Sequence, residues 1–249
     1  MAQKILNKQS GFTLLEMSLT LGIIALVAGV GLSFASSAIE EERKELTEKR
    51  MTYVMLKIQQ YADEKNQLPC PATGNIAANN IDFGIGIGTG AAGVCTEQNT
   101  DVVGNILSGM VPFATLGIHP IYALDGWNRK FTYVVDEDLT FPGTDGVNGY
   151  LDVTNPTNGD IQIQDESNVS VTGSENAAIV LISHGKNGHG AWPAKGTTRI
   201  NATNEGTHEI DNDPSNVLNP AIFRQATYRE QAQRFDDLVV YRTAWQLRN

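Results

Sequence analysis

The sequence predicts an α+β protein, in which one long N-terminal helix is followed by an antiparallel sheet laid against the second half of that helix. Three observations predict it. An apolar run without a single charge extends from Met17 to Ala35. No glycine or proline interrupts the chain from Glu40 to Gln67, where helix formers dominate. Beyond that point, short stretches of β-branched and aromatic residues alternate with turn clusters.

At 249 residues, the chain suits a membrane segment plus one domain, or two small domains at most. Charged residues make up 18% and apolar ones 41%, a globular composition with enough material for a core. The formal net charge of -10 argues against nucleic acid as a partner, because such binding neutralises phosphates with Lys and Arg. No basic patch with interleaved aromatics offsets that balance.

Lys4 and Lys8 sit in a short polar leader that ends at Gly11. Phe12 then opens the apolar helix, which carries one carboxylate, Glu16, near its start. A charge at membrane depth costs a few kcal/mol, so Glu16 is a functional-site candidate by default. The uncharged stretch is about as long as a bilayer-spanning helix needs. The two leader lysines hold the N-terminus in the cytoplasm and place the large domain in the periplasm.

Gly11-Phe12-Thr13-Leu14-Leu15-Glu16 with the apolar run behind it resembles the cleavage and methylation signature of type IV prepilins and type II secretion pseudopilins. The resemblance implies a structural filament subunit held in the bacterial inner membrane. Prepilin peptidase would cut between Gly11 and Phe12 and the new terminus at Phe12 would be N-methylated. Glu16 would pair with the Phe12 amine of a neighbouring subunit, since a charge out of water must find a partner. The partners implied are prepilin peptidase, other pilin or pseudopilin subunits and the membrane. The competing reading is an ordinary secretory signal, cut near Ala35-Ser36-Ser37-Ala38.

This divides the chain into a leader (1–11), a membrane and assembly half-helix (12–39), a periplasmic half-helix (40–68) and a loop-rich β domain (69–249). In the second half-helix, Leu46, Val54, Ile58 and Tyr61 keep one side partly apolar. Glu45 and Lys49 form an attractive i,i+4 pair. Leu68-Pro69-Cys70-Pro71 is the stop signal. Given a periplasmic domain, Cys70 and Cys95 are expected to form a disulfide, with two unpaired buried thiols as the alternative. Their spacing is unlike a zinc motif.

Gly84-Ile85-Gly86-Ile87-Gly88-Thr89-Gly90 lacks the strand, helix and Lys-Ser/Thr of a phosphate loop, so Pro71 to Leu107 reads as loop-rich. The passage from Asp125-Gly126-Trp127-Asn128 to Val135 reads as a turn followed by a strand. It resembles the Asp-x-Trp-Gly segment that opens the pseudopilin sheet, with Asn128, which tolerates a left-handed backbone, where glycine is usual. Further strands are expected at Ile161–Gln164, Val169–Thr172, Ala177–Ser183 and Leu238–Arg242.

Ser183-His184-Gly185-Lys186-Asn187-Gly188-His189-Gly190 offers a serine and two histidines, but neighbouring strand residues point apart, which misplaces a nucleophile and its base. No catalytic residue, cofactor or metal is assigned from the sequence. The stretch resembles the Ser-x-Gly-x-x-Gly turn that precedes a calcium loop in major pseudopilins. Asp211, Asp213, Asp236 and Asp237 are then candidate ligands, although the spacing departs from that loop. The 191–234 segment resembles nothing in that family. Two other functions stand beside the filament subunit: a membrane-anchored periplasmic enzyme using the Ser183–His189 loop, and a filament-tip module that binds substrate through the C-terminal loops.

Overall fold

The computed structural model describes residues 11–86, 88–89, 94–95, 101–103, 105–141, 159–173, 175–202, 205–215, 222–229 and 234–248. The chain forms two compact units divided between Glu42 and Arg43. The class is α+β, consistent with a pilin-like fold. Helix α1 runs from Leu14 to Lys65, two residues short of expectation at either end. At its close, Asn66 takes a left-handed backbone (φ 55°) and donates its N–H to Ala62 O, a C-terminal cap usually made by glycine and sometimes by asparagine.

In the first unit, the expected span from Met17 to Ala35 is helical throughout. Among the described residues no helix is long and apolar enough to cross a membrane. Positions 28 and 30–33 of that run lie outside the residues whose side chains are described.

The second unit is organised on a five-stranded antiparallel sheet. In chain order the strands of the unit are β1 (Gly88–Thr89), β2 (Val94–Cys95), β3 (Asp101–Val103), β4 (Ile106–Met110), β5 (Arg129–Lys130), β6 (Thr132–Asp136), β7 (Gln162–Gln164), β8 (Ala177–Ser183), β9 (Trp192–Pro193), β10 (Ile222–Arg224) and β11 (Leu238–Thr243). The main sheet has the order β11-β8-β6-β4-β3. Along β6 and β8, successive side chains go to opposite faces. Tyr133, Val135, Ile179 and Leu181 meet Met51, Val54, Met55 and Ile58 of α1 on one face. Val134, Val180 and Ile182 meet Ile161, Ile163 and Phe223 on the other. The sheet is therefore covered twice, by the helix and by the β7/β10 pair, and its strand β8 reads as an unbroken apolar run from Ala177 to Ile182 rather than an alternating one.

Several expected elements shift. The 71–107 region contains β1 to β3 and the start of β4, which is buried along its whole length. Ile106-Leu107-Ser108-Gly109-Met110 has no period-two pattern because both faces are covered. The expected strand at Val169–Thr172 is instead the far side of a turn. Asp165 Oδ1 accepts from the N–H groups of Ser167 and Val169, Asn168 is left-handed (φ 63°), and only Ser170 bridges back to Gln164. The strand after Trp127 is split into β5 and β6 at Phe131.

Cys70 and Cys95 are joined in a disulfide that closes a loop of 25 residues. The described parts of the 191–234 segment are built into the domain: β9 pairs with β5, β10 runs parallel to β7, and Phe223 fills the second core.

Candidate functional site

The N-terminal candidates lie on the first unit. Phe12 is 83% exposed, and Leu14, Leu15 and Leu26 are also largely bare. Thr13 and Glu16 form a reciprocal cap. Glu16 N–H donates to Thr13 Oγ1 (3.2 Å), while Glu16 Oε2 accepts from Thr13 N–H (2.9 Å) and Thr13 Oγ1–H (3.0 Å). This is the capping box that Thr13-Leu14-Leu15-Glu16 spells, a signal readable in the sequence beside the charge itself. The carboxylate also lies in the first turn, where the helix dipole favours an anion.

In the second unit the Asp125 turn is the fastening point. Asp125 Oδ1 accepts from the N–H groups of Trp127 (2.9 Å) and Arg129 (2.8 Å), and Oδ2 accepts from Ser183 Oγ (2.9 Å). Burial pushes this carboxyl up from its usual range, and the hydrogen bonds oppose that push. Asn128 is left-handed (φ 64°), as its place in the turn requires. Gly126 donates to Thr47 Oγ1 of α1, and a Cβ there would lie 2.2 Å from Arg43 O, so no larger residue fits. Arg50 adds hydrogen bonds to the carbonyls of Leu124 and Asp125.

The Ser183–His189 loop does not assemble a nucleophile and a base. Ser183 is committed to Asp125, while His184 Nε2 lies 2.8 Å from Thr132 Oγ1 in a fully buried place. Burial, the first cause, lowers the imidazole's affinity for a proton and keeps it neutral. His189 Nε2 is 4.0 Å from Asp213 Oδ2, too far for a hydrogen bond. Gly185, Gly188 and Gly190 all have positive φ, and a Cβ on Gly185 would lie 2.1 Å from Asp236 O. The loop thus folds tightly against the chain that leads into β11.

Of the four acidic candidates, the structure brings two together. Asp211 Oδ2 takes a hydrogen bond from Arg224 Nε at 2.7 Å, and Asp213 Oδ1 caps Ser215, accepting from its N–H and hydroxyl. Asp236 and Asp237 are buried side by side, and their third neighbour is Glu209 of helix α2 (Thr207–Asp211). Burial, as the largest cause, pushes both aspartyl groups up from the usual carboxylate range. Glu209 had no signal in the sequence, since nothing local ties it to positions 27 residues away. Calcium, which the resemblance implies, needs oxygen donors, and this set offers only oxygen. Asp236 Oδ1 and Asp237 Oδ1 are buried without a hydrogen-bond partner, so the residues fit such an ion.

Residues 6–32 match the family model of the prokaryotic N-terminal methylation motif. The match covers Gly11, Phe12 and Glu16 and is consistent with the type IV pilin-like and pseudopilin family. It supports a pilin-like, prepilin-processed protein of structural type. No curated protein and no solved structure matches the chain.

Proposed function

We propose that this protein is a pseudopilin or minor pilin, a filament subunit of a type II secretion or type IV pilus system. Prepilin peptidase cleaves it between Gly11 and Phe12, and Phe12 is then N-methylated. The methylation motif over residues 6–32 carries this reading. The exposed apolar side chains from Phe12 to Val27 support it, because so much bare apolar surface needs lipid or neighbouring subunits to cover it. Residues 12–39 are held in the inner membrane, with the leader cytoplasmic and the large domain periplasmic until assembly.

Glu16 pairs with the Phe12 amine of a neighbour in the filament. Its intrahelical hydrogen bonds fall on Oε2, which leaves Oε1 for that amine, and the donors on Thr13 survive cleavage because they lie beyond the cut. The pair would form away from water, where leaving either charge alone is strongly unfavourable.

The test is an N-terminal peptide mass spectrum of the protein from its native membrane. A start at Phe12, heavier by one methyl group, is the expected result. A start at Met1 or near Ala38 would defeat the reading. The same spectrum on Gly11→Ala should show unprocessed chain.

A further inference from the structure

In the second unit, Leu46, Lys49 and Arg50 of α1 face the short 3-10 turn Pro120–Ala123 across a notch of about 280 Å³, whose far wall is Ile121 and Tyr122. The walls are fixed from behind. His119 Nδ1 accepts from Ile121 N–H and Leu124 N–H donates to Ile121 O, both at 3.3 Å, which sets the turn. The ring of Tyr122 meets that of Tyr53 on α1, with centroids 4.5 Å apart. Arg50 Nη1 donates to the carbonyls of Leu124 (2.9 Å) and Asp125 (3.0 Å), and among the described residues no other nitrogen of that guanidinium has a protein partner. Lys49 is exposed and reaches only Glu45, at 2.6 Å.

Two cations side by side on a chain of net charge -10 favour an anion. Ammonium and guanidinium both donate to phosphate oxygens, the guanidinium through its planar fork. A free phosphate would leave the rest of the notch in water, since Leu46, Ile121 and Tyr122 are each more than a third exposed. A phospholipid meets both halves: its phosphate suits Lys49 and Arg50, and its glycerol and first acyl carbons cover Leu46 and Ile121. Tyrosine and basic side chains favour that depth of a membrane interface. The notch also lies in the right part of the chain. It begins about two turns beyond Ile39 on the same unbroken helix, just past the stretch that we propose is held in the membrane.

We infer that this notch holds the headgroup of an anionic phospholipid and seats the periplasmic domain of the unassembled subunit on the membrane surface. Lys49 and Arg50 take the phosphate, and Ile121 and Tyr122 enter the interface beside it. Glu45 competes with the lipid for Lys49 and keeps the contact reversible. The inference rests on the reading that residues 12–39 are held in a membrane.

The experiment uses the full chain in lipid nanodiscs, made of phosphatidylcholine alone or with about one quarter phosphatidylglycerol, and follows hydrogen exchange of residues 45–53 and 117–124. Phosphatidylglycerol should slow exchange in both segments roughly threefold or more, an effect that added salt weakens. Lys49→Gln and Ile121→Ser should each abolish most of that protection, and Glu45→Gln should increase it. All three positions are exposed, and unchanged melting temperatures confirm that the fold is kept. The inference is overturned if exchange is the same in both kinds of disc, or if Lys49→Gln keeps full protection. It is equally overturned if inorganic phosphate added to phosphatidylcholine discs protects as well, which would mean a free anion. Protection that needs no anionic lipid and grows with the number of chains per disc would mean a contact between copies, and would overturn it too. A chain that does not enter the discs at all would defeat the membrane reading itself, an outcome distinct from entry without protection.

Discussion

Ser183 Oγ donates to Asp125 Oδ2 across 2.9 Å, joining the end of β8 to a turn 58 residues earlier in the chain. The turn is in turn fixed to α1 through Gly126 and Thr47. One serine hydroxyl thus helps to hold helix, turn and sheet in a single arrangement. Ser183→Ala leaves Asp125 with its two backbone donors but strands Oδ2 in a buried place. The expected loss is about 1–3 kcal/mol of folding stability, the penalty for an unsatisfied buried polar group. Chemical denaturation of the variant measures it. Processing and membrane insertion should be unaffected, whereas an enzyme built on Ser183 would lose its activity outright.

Much of this was readable in the residues. Ala177–Ser183 and the strand from Leu238 stand out because branched apolar residues are flanked by turn signals on both sides. The end of α1 was announced by Leu68-Pro69. β4 was hidden because a strand covered on both faces loses its alternation, and Ser108 and Gly109 broke up what apolar signal remained. Val169–Thr172 shows the opposite error. Its β-branched composition is real, but Asp165 captures the backbone locally and makes a turn. Of the acidic cluster, Asp236 and Asp237 were visible as a pair. Glu209 was not, because its placement depends on how α2 docks through Asn187 and Gly206.

Asn128 offers a direct check on the turn. Its backbone is left-handed, a region open to glycine and, less readily, to asparagine. Asn128→Val should cost about 1–2 kcal/mol, since a branched Cβ collides with the following carbonyl there. Asn128→Gly should be tolerated. Equal stability of the Val variant and the native chain would mean that the turn has another geometry.

Lys130 is fully buried, and its ammonium donates to three carbonyls, those of Gly74, Ile76 and Gly196. The ring of Phe83 lies 5.1 Å away on another side. The residue therefore ties the segment after Cys70 to the inserted segment. Lys130→Met keeps much of the stem's packing but removes every donor. The expected cost is about 3 kcal/mol, from charged hydrogen bonds lost and carbonyls left bare. Limited proteolysis should locate the damage at residues 74–86 and 193–196 first. Uniform resistance at both places would show that the carbonyls are held by something other than this ammonium.

Asp136 makes stability fall as pH rises, against the usual trend for carboxylates. Its oxygens accept from the N–H groups of Asp138 (2.9 Å) and Asp160 (2.8 Å). Burial, then the nearby Asp160 carboxylate, push its carboxyl up to about 7. The folded state therefore holds this proton more tightly than the unfolded chain does. The contribution to stability is complete below about pH 4 and is lost as pH rises through about 7. Unfolding free energies of the native chain and of Asp136→Asn, measured from pH 4 to 9, isolate the effect. The difference between them should change by roughly 1.4 kcal/mol per pH unit inside the window, in the direction that favours the native chain at low pH, and level off above it. Asp236 and Asp237 are shifted the same way, but they are present in both proteins and cancel in the difference. A difference that stays flat from pH 4 to 9 would mean that Asp136 titrates as an ordinary exposed carboxylate, and that Asp160 is not the neighbour that holds its proton in place.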